Sequence, residues 1–180
     1  MGGKTLRQLG TYGINGTFFD TRRPQSLNSC WLIAVNNGVA LSGNAKFNGW
    51  QQPPRGTMYF DGVNVKVKRV KSVVELPSST VWAIGGGSLI PHYIPKEENW
   101  DSSVIYSTNR TGIAYKGDTV FLIVAKNMSM EEFKNKIFIH LKVDGAIFLD
   151  GGQSTQMNYV GNKGISSTRG LNNLIGIRSV

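Results

Sequence analysis

Three short turn signals, each set between apolar runs, restrict this chain more than any other feature. They are Asn36-Asn37-Gly38 in "CWLIAVNNGVAL", Asp61-Gly62 in "TMYFDGVNVKVKRV" and Lys116-Gly117-Asp118 in "GIAYKGDTVFLIVA". Asn, Asp and Gly accept positive φ readily, and so short a connection joins only antiparallel neighbours, so each signal predicts a β-hairpin. After Gly62, the residues Val63, Val65 and Val67 alternate with Asn64, Lys66 and Lys68. That is period two, with one face buried and one wet. The basic cluster Lys66, Lys68, Arg69 and Lys71 then reads as a solvated strand face rather than a nucleic-acid stripe.

One helix is predicted, in "SMEEFKNKIFIHLK". Ser129 and Glu132 form a capping box, and Met130, Phe133, Ile137 and Leu141 recur at three or four residues to give one apolar stripe. Gly145 follows near the expected helix end, and "AIFL" after it reads as a strand buried on both faces. The 22 glycines show no collagen-like period, so they imply many tight turns and close backbone approaches. With 180 residues the chain suits one domain, residues 1–180. The fold class expected is α+β: a mainly antiparallel, strongly curved sheet with a helix packed on one side.

The charge balance, 20 basic against 11 acidic residues for a net +9, favours anionic partners. Cys30 is the only cysteine, so no intrachain disulfide can form. "MGGKTLRQLG" lacks the apolar stretch of a signal peptide, and no apolar run reaches the ~18 residues of a membrane span. Together these set the expectation of a cytoplasmic protein, in the host cytoplasm if phage-encoded, with no membrane partner. "GGKT" lacks the first glycine and the strand of a phosphate-binding loop. His92 and His140 are the only histidines, so a His-based metal site is not expected. Trp31, Trp50, Trp82 and Trp100 read mainly as core, with Trp50 in "NGWQQPP" also suited to a platform stacking on a sugar or base.

Four patches of glycine with Asn, Arg, Asp, Ser or Thr interrupt the strands: "GINGTFFD" (13–20), "WAIGGGSLI" (82–90), "STNRTGIAY" (107–115) and "LDGGQSTQM" (149–157). Each alone reads as a turn. Four together read as a ligand pocket, because glycines at strand ends let a ligand approach the backbone and exposed N–H groups form anion nests. None has the spacing of a nucleotide fingerprint.

In this order the patches resemble the phosphodiester glycosidase family. Asn15, Gly16, Phe18 and Phe19 match its N-G-x-F-F element. Gly85, Gly86, Gly87 and Leu89 resemble a G-G-P element before a Leu, and Arg110 and Thr111 an R-T-x-x-G element opening a hairpin. Leu149 to Thr155 resembles the most specific element, L-D-G-G-G-S-T. The resemblance covers residues 12–178. It departs at Gln153, where the family has a third glycine, and at Gly87-Ser88, where Gly-Pro is usual.

The resemblance implies cleavage of the bond between a sugar anomeric carbon and a phosphodiester oxygen. Ordinary glycosidases use two carboxylates, whereas a phosphate leaving group needs charge neutralisation more than a proton. A search of the acidic residues leaves Asp150, at the end of a buried strand, as nucleophile or general base, with Asp20 second. The competing reading of Asp150 is a turn acid bonded to its own loop. Arg110 is expected to clamp phosphate in a fork, with Thr111, Gly86, Gly87, Gly151, Gly152, Gln153, Ser154 and Thr155 lining the bound group. Asn15 either bonds a sugar hydroxyl, orients Asp150, or is a turn residue. Arg169 either adds charge to the pocket or lies on the surface. No cofactor is required; a divalent cation is compatible with Asp150 and neighbouring oxygens, though no spacing demands one.

The expected function is therefore hydrolysis of a sugar-1-phosphodiester on a small phosphorylated ligand. The rival is a binding module of the same fold, of the kind a phage would use against a nucleotide-signalled defence, which sequesters a nucleotide or sugar phosphate uncleaved. Gln153 in place of a glycine supports that rival. Nucleic acid is a third reading resting on charge alone. The oligomeric state is left open.

Overall fold

A computed structural model describes residues 3–21, 29–161 and 164–178. In chain order the elements are α1 (Leu6–Leu9), β1 (Gly13–Asn15), β2 (Ala34–Asn36), β3 (Val39–Ala40), β4 (Arg55–Phe60), β5 (Val65–Val70), β6 (Trp82–Gly85), β7 (Gly87–Ile90) and α2 (Ser102–Ile105). They continue with β8 (Thr108–Lys116), β9 (Thr119–Met128), α3 (Met130–Leu141), β10 (Gly145–Phe148), β11 (Met157–Asn158) and β12 (Leu174–Gly176). The strands form three antiparallel sheets, ordered β3-β2-β6-β4-β5, β7-β10-β8-β9 and β11-β1-β12. The fold is thus mainly antiparallel with a packed helix, as expected, but its strands are divided among three sheets rather than held in one.

All three turn signals become hairpins. Asn37 and Gly38 both take positive φ, the conformation a two-residue turn needs to match strand twist. The loop at Asp61 is wider: its Oδ1 accepts from Val63 N and Asn64 N at 3.0 and 2.8 Å. Val63 is therefore exposed in the turn, and the in–out alternation begins only at Val65. Lys66 and Lys68 point to solvent, as the alternation requires.

Helix α3 has its capping box, Ser129 Oγ accepting from Glu132 N at 3.2 Å. It buries Met130, Phe133 and Ile137 against Ala114, Ala146 and Phe148 on one face of the β7-β10-β8-β9 sheet. The opposite face of that sheet presents Ile113 and Ile147, which meet Met58 and Ile84 of the five-stranded sheet and Ile14 of β1. Period two along β8 and β10 thus supplies two cores, and each large apolar side chain buried there contributes roughly 1.5–3 kcal/mol. Gly145 does not end the helix. Lys142 does, in the left-handed conformation (φ 49°), and Gly145 starts β10 where a Cβ would come 2.5 Å from the Tyr115 ring.

The patch "WAIGGGSLI" is where the chain passes from one sheet to the next: β6 ends at Gly85 and β7 starts at Gly87. A Cβ on Gly86 would lie 2.0 Å from the Phe148 carbonyl oxygen, and one on Gly87 would lie 2.0 Å from the Phe148 ring. Gly86 and Gly87, expected to line a bound phosphate, therefore let the chain lie close against Phe148 of β10, the hydrogen-bonded neighbour of β7.

The passage from one sheet to the next also explains Glu98, which the sequence places in a polar loop and the structure buries completely. Its Oε1 accepts from Gly56 N (2.9 Å) and Ser88 Oγ (2.5 Å), its Oε2 from Ser88 N and Trp100 Nε1 (both 2.9 Å). Arg55 stacks over Trp100 at 4.0 Å and donates to the carbonyls of Glu98 and Asn99. A buried carboxylate survives when its lone pairs are satisfied and cations stand nearby, and both hold here. Of the four tryptophans expected mainly in the core, Trp82 and Trp100 pack against apolar neighbours, while Trp31 and Trp50 are exposed.

Candidate active site

The site is built where β10 runs out. Leu149 N still donates to Thr111 O at 2.8 Å, so the carboxyl of the next residue is delivered by a strand held on both sides. Asp150 is followed by a tight turn, Gly152–Ser154, in which Gly152 takes φ 59°. That turn brings Ser154, Thr155 and Gln156 back into the protein, all essentially without exposure.

Burial dominates the chemistry of Asp150. Loss of solvent raises its pKa from 3.8 to about 6, against the opposing pull of the Ser154 hydroxyl, the Arg169 charge and the Gly151 N–H. A carboxyl so placed holds a proton into weakly acidic solution and releases it near neutrality. Asp20 is not among the groups acting on it. Asp20 lies beyond Phe19, its N–H donated to Ser29 O at 3.1 Å.

Asn15 locks this geometry from below. Its Nδ2 donates to the Asp150 carbonyl at 2.7 Å, and its Oδ1 accepts from Thr111 Oγ1 and Gln156 N at 2.9 and 3.0 Å. One side chain thereby joins β1, β8 and the loop after β10, and it is 1% exposed. Thr111 and Thr155 complete the support, their hydroxyls 3.3 Å apart. These residues are consumed by the scaffold. They orient the Asp150 main chain rather than offering free groups to a ligand.

The two candidate arginines exchange places. Arg110 is 2% exposed and its guanidinium donates to three carbonyls: Met128 O (2.8 Å), Val104 O (2.5 Å) and Tyr106 O. Burial lowers its pKa, which the nearby Tyr93 partly offsets. It braces the β8–β9 hairpin and α2 beneath Gly151, whose Cβ position would be 2.8 Å from Asn109 O. The expected clamp is thus a structural arginine with its fork occupied by main chain. Arg169 stands at the site instead. Its Nη2 donates to Gln153 Oε1 at 2.6 Å and its Nη1 to Ser154 Oγ at 3.4 Å. Ser154 therefore lies between Arg169 and Asp150.

Gln156 lies in the patch 149–157 but was not singled out within it, and Ser167 had no signal in the sequence. The Gln156 amide donates to Arg169 O at 2.7 Å and accepts from Leu6 N at 3.1 Å. Ser167 Oγ donates to Gln153 O at 2.5 Å and accepts from Arg169 N at 3.1 Å. Both fix the 165–170 stretch against the loop after β10. Only the closed loop makes them neighbours of Asp150.

Among the described residues, no three of His, Cys, Asp and Glu stand close enough together to hold a metal ion. Among the same residues, no helix is long and apolar enough to cross a membrane. Cys30 is buried and its thiol is pushed up to about 11, so it has no thiolate character at neutral pH.

A polar cluster around one strand-delivered carboxyl, on antiparallel sheets packed closely at buried glycines, is the class of fold and site the structure defines. The chain belongs to the phosphodiester glycosidase family, whose model matches residues 10–178. Among solved structures it is similar to the zebrafish N-acetylglucosamine-1-phosphodiester α-N-acetylglucosaminidase catalytic domain auto-inhibited by its pro-peptide, with a TM-score of 0.69 and 16% identity. That match covers 94% of this chain and 64% of the zebrafish chain. It is also similar to a hypothetical protein from Synechocystis, with a TM-score of 0.55 and 15% identity over 95% of this chain and 52% of the other. No curated protein sequence matches it. The chain thus spans about half to two thirds of the structures it resembles.

Proposed function

We propose that the chain hydrolyses the glycosidic bond between a sugar anomeric carbon and a phosphate oxygen of a small phosphodiester. The observation that carries this is the Asp150 carboxyl, raised by burial and joined through Ser154 to the guanidinium of Arg169. Ionised Asp150 takes a proton from water as the water oxygen attacks the anomeric carbon. The bond to the phosphate oxygen breaks with its electrons passing to the phosphate, which leaves as a monoester. Arg169, with the hydroxyl of Ser154, neutralises the charge gathering there. Arg110 acts only by holding the scaffold.

A second reading, capture of a nucleotide or sugar phosphate without cleavage, is favoured by Gln153. Its side-chain oxygen already occupies the Arg169 guanidinium, at the position where the family keeps bare backbone. One experiment separates the two: incubation with a panel of sugar-1-phosphodiesters and nucleotide sugars, read by mass spectrometry. Hydrolysis yields a reducing sugar and a phosphate monoester over many turnovers. Capture returns intact ligand, never exceeding the number of sites, after heat denaturation.

A further inference from the structure

An exposed aromatic pair lies between β3 and β4, beside the segment that follows β5, and away from the Asp150 cluster. Trp50 is 66% exposed, and its indole is met edge-on by Phe47, also exposed, with ring centroids 5.9 Å apart and planes at 84°. They line a groove of about 390 Å³ whose other walls include Gln51, Gln52, Lys71 and Glu75, and which shares no residue with the Asp150 cluster. The volume falls within the range of small-ligand sites.

The residues around the platform are held by their backbone conformation and by hydrogen bonds. Gly49 and Gln51 take φ of 88° and 58°, a conformation that costs energy for a residue with a side chain. The neighbouring Asn48 is 1% exposed, and its Nδ2 donates to Thr57 Oγ1 and Val70 O at 2.6 and 2.9 Å. Gln52 is tied to the next loop by Asn99 Nδ2, 2.9 Å from its Oε1. On the far wall, Glu75 Oε1 accepts from Lys71 N and Ser72 N at 2.8 and 3.0 Å, so Oε2 keeps its acceptor capacity. None of these contacts buries the indole, whose face is left open to a ligand at 66% exposure.

We infer that this groove binds a neutral saccharide, one pyranose ring stacking its C–H face on Trp50. The ring of a sugar presents an apolar face and a polar rim, and the groove presents an aromatic floor with an amide, an ammonium and a carboxylate at its edges. Lys71 and Glu75 both line the groove, which argues against a polyanion, since nucleic acid drawn to the cation would also meet the carboxylate. The groove needs no part of the hydrolytic reading and would serve to hold the protein on a glycan.

The test is a printed glycan array followed by calorimetric titration with the strongest neutral oligosaccharide, with a ten-nucleotide single-stranded DNA as a parallel arm. Saturable binding is expected. Trp50→Ala should weaken it at least about tenfold, the usual effect of truncating an aromatic anchor, without moving the melting temperature. Asp150→Asn should leave this affinity unchanged, which separates failure here from failure of the hydrolytic reading. The inference is overturned if no neutral glycan binds, if Trp50→Ala binds as the parent does, or if only DNA binds in a Trp50-dependent way.

Discussion

Replacing Asp150 by Asn should cost activity and gain stability, and the two effects have one cause. Burial moves the carboxyl from 3.8 to about 6, a net result that already includes the help of Ser154, Arg169 and Gly151. Between those pH values the folded chain keeps a proton that the unfolded chain has lost. Stability contributed by the neutral carboxyl is therefore complete below pH 3.8 and lost as pH rises through about 6. At ~1.4 kcal/mol per pH unit, the interval corresponds to roughly 3 kcal/mol of destabilisation at neutral pH. Asn retains an acceptor oxygen for Ser154 and carries no charge to desolvate. Urea denaturation should show Asp150→Asn more stable than the parent by about 3 kcal/mol at pH 8 and equal to it at pH 3.5. For a chain of this size the pH 8 gain is on the order of 6–12 °C in melting temperature. Turnover on a cleaved phosphodiester should meanwhile fall at least ~10²-fold, the scale of a lost acid–base group. A variant with no gain at pH 8, or with the same gain at pH 3.5, would refute desolvation as the source of the raised pKa. Unchanged turnover would remove Asp150 from the chemistry.

If ionised Asp150 is the working form, kcat/KM should rise with pH along a limb centred near 6; a fall there would assign it the opposite role, as acid. Arg169→Lys should weaken binding of phosphodiesters while sparing the free sugar, measured by calorimetry, because the planar fork is lost and the charge kept. Arg110→Lys should instead lower the melting temperature, as three carbonyls lose a pre-set partner, and leave phosphodiester affinity intact in the folded fraction. Glu98→Gln should lower stability by about 1–3 kcal/mol in urea, because one end of the amide meets Gly56 N or Trp100 Nε1 with a donor. Gln153→Gly should free the Arg169 guanidinium and change the ligand preference seen by mass spectrometry more than it changes the melting temperature.

The hairpins and the helix were legible because their determinants are local. A turn at Asn37-Gly38 needs positive φ, and a capping box at Ser129 and Glu132 needs two side chains three residues apart; neither consults the rest of the chain. The position of Asp150 was legible for a related reason, since a carboxyl just past the end of a buried strand is visible in the order of residues. What each polar group does with its hydrogen bonds was not legible. Arg110 and Arg169 are equal as letters. Only the packing of α2 and the β8–β9 hairpin surrounds the first with carbonyls, and only the closure of the 165–170 stretch carries the second to Ser154. The glycines of "WAIGGGSLI" suit a ligand or a neighbouring strand equally well, and the pairing of β7 with β10 decides for the strand. Glu98 follows the same rule. Its neighbours in sequence are polar, yet the four donors that make its burial tolerable are brought from Gly56, Ser88 and Trp100 by the meeting of two sheets. Period and turn chemistry are properties of a few adjacent residues, whereas satisfaction of a buried charge belongs to whichever distant groups the fold delivers.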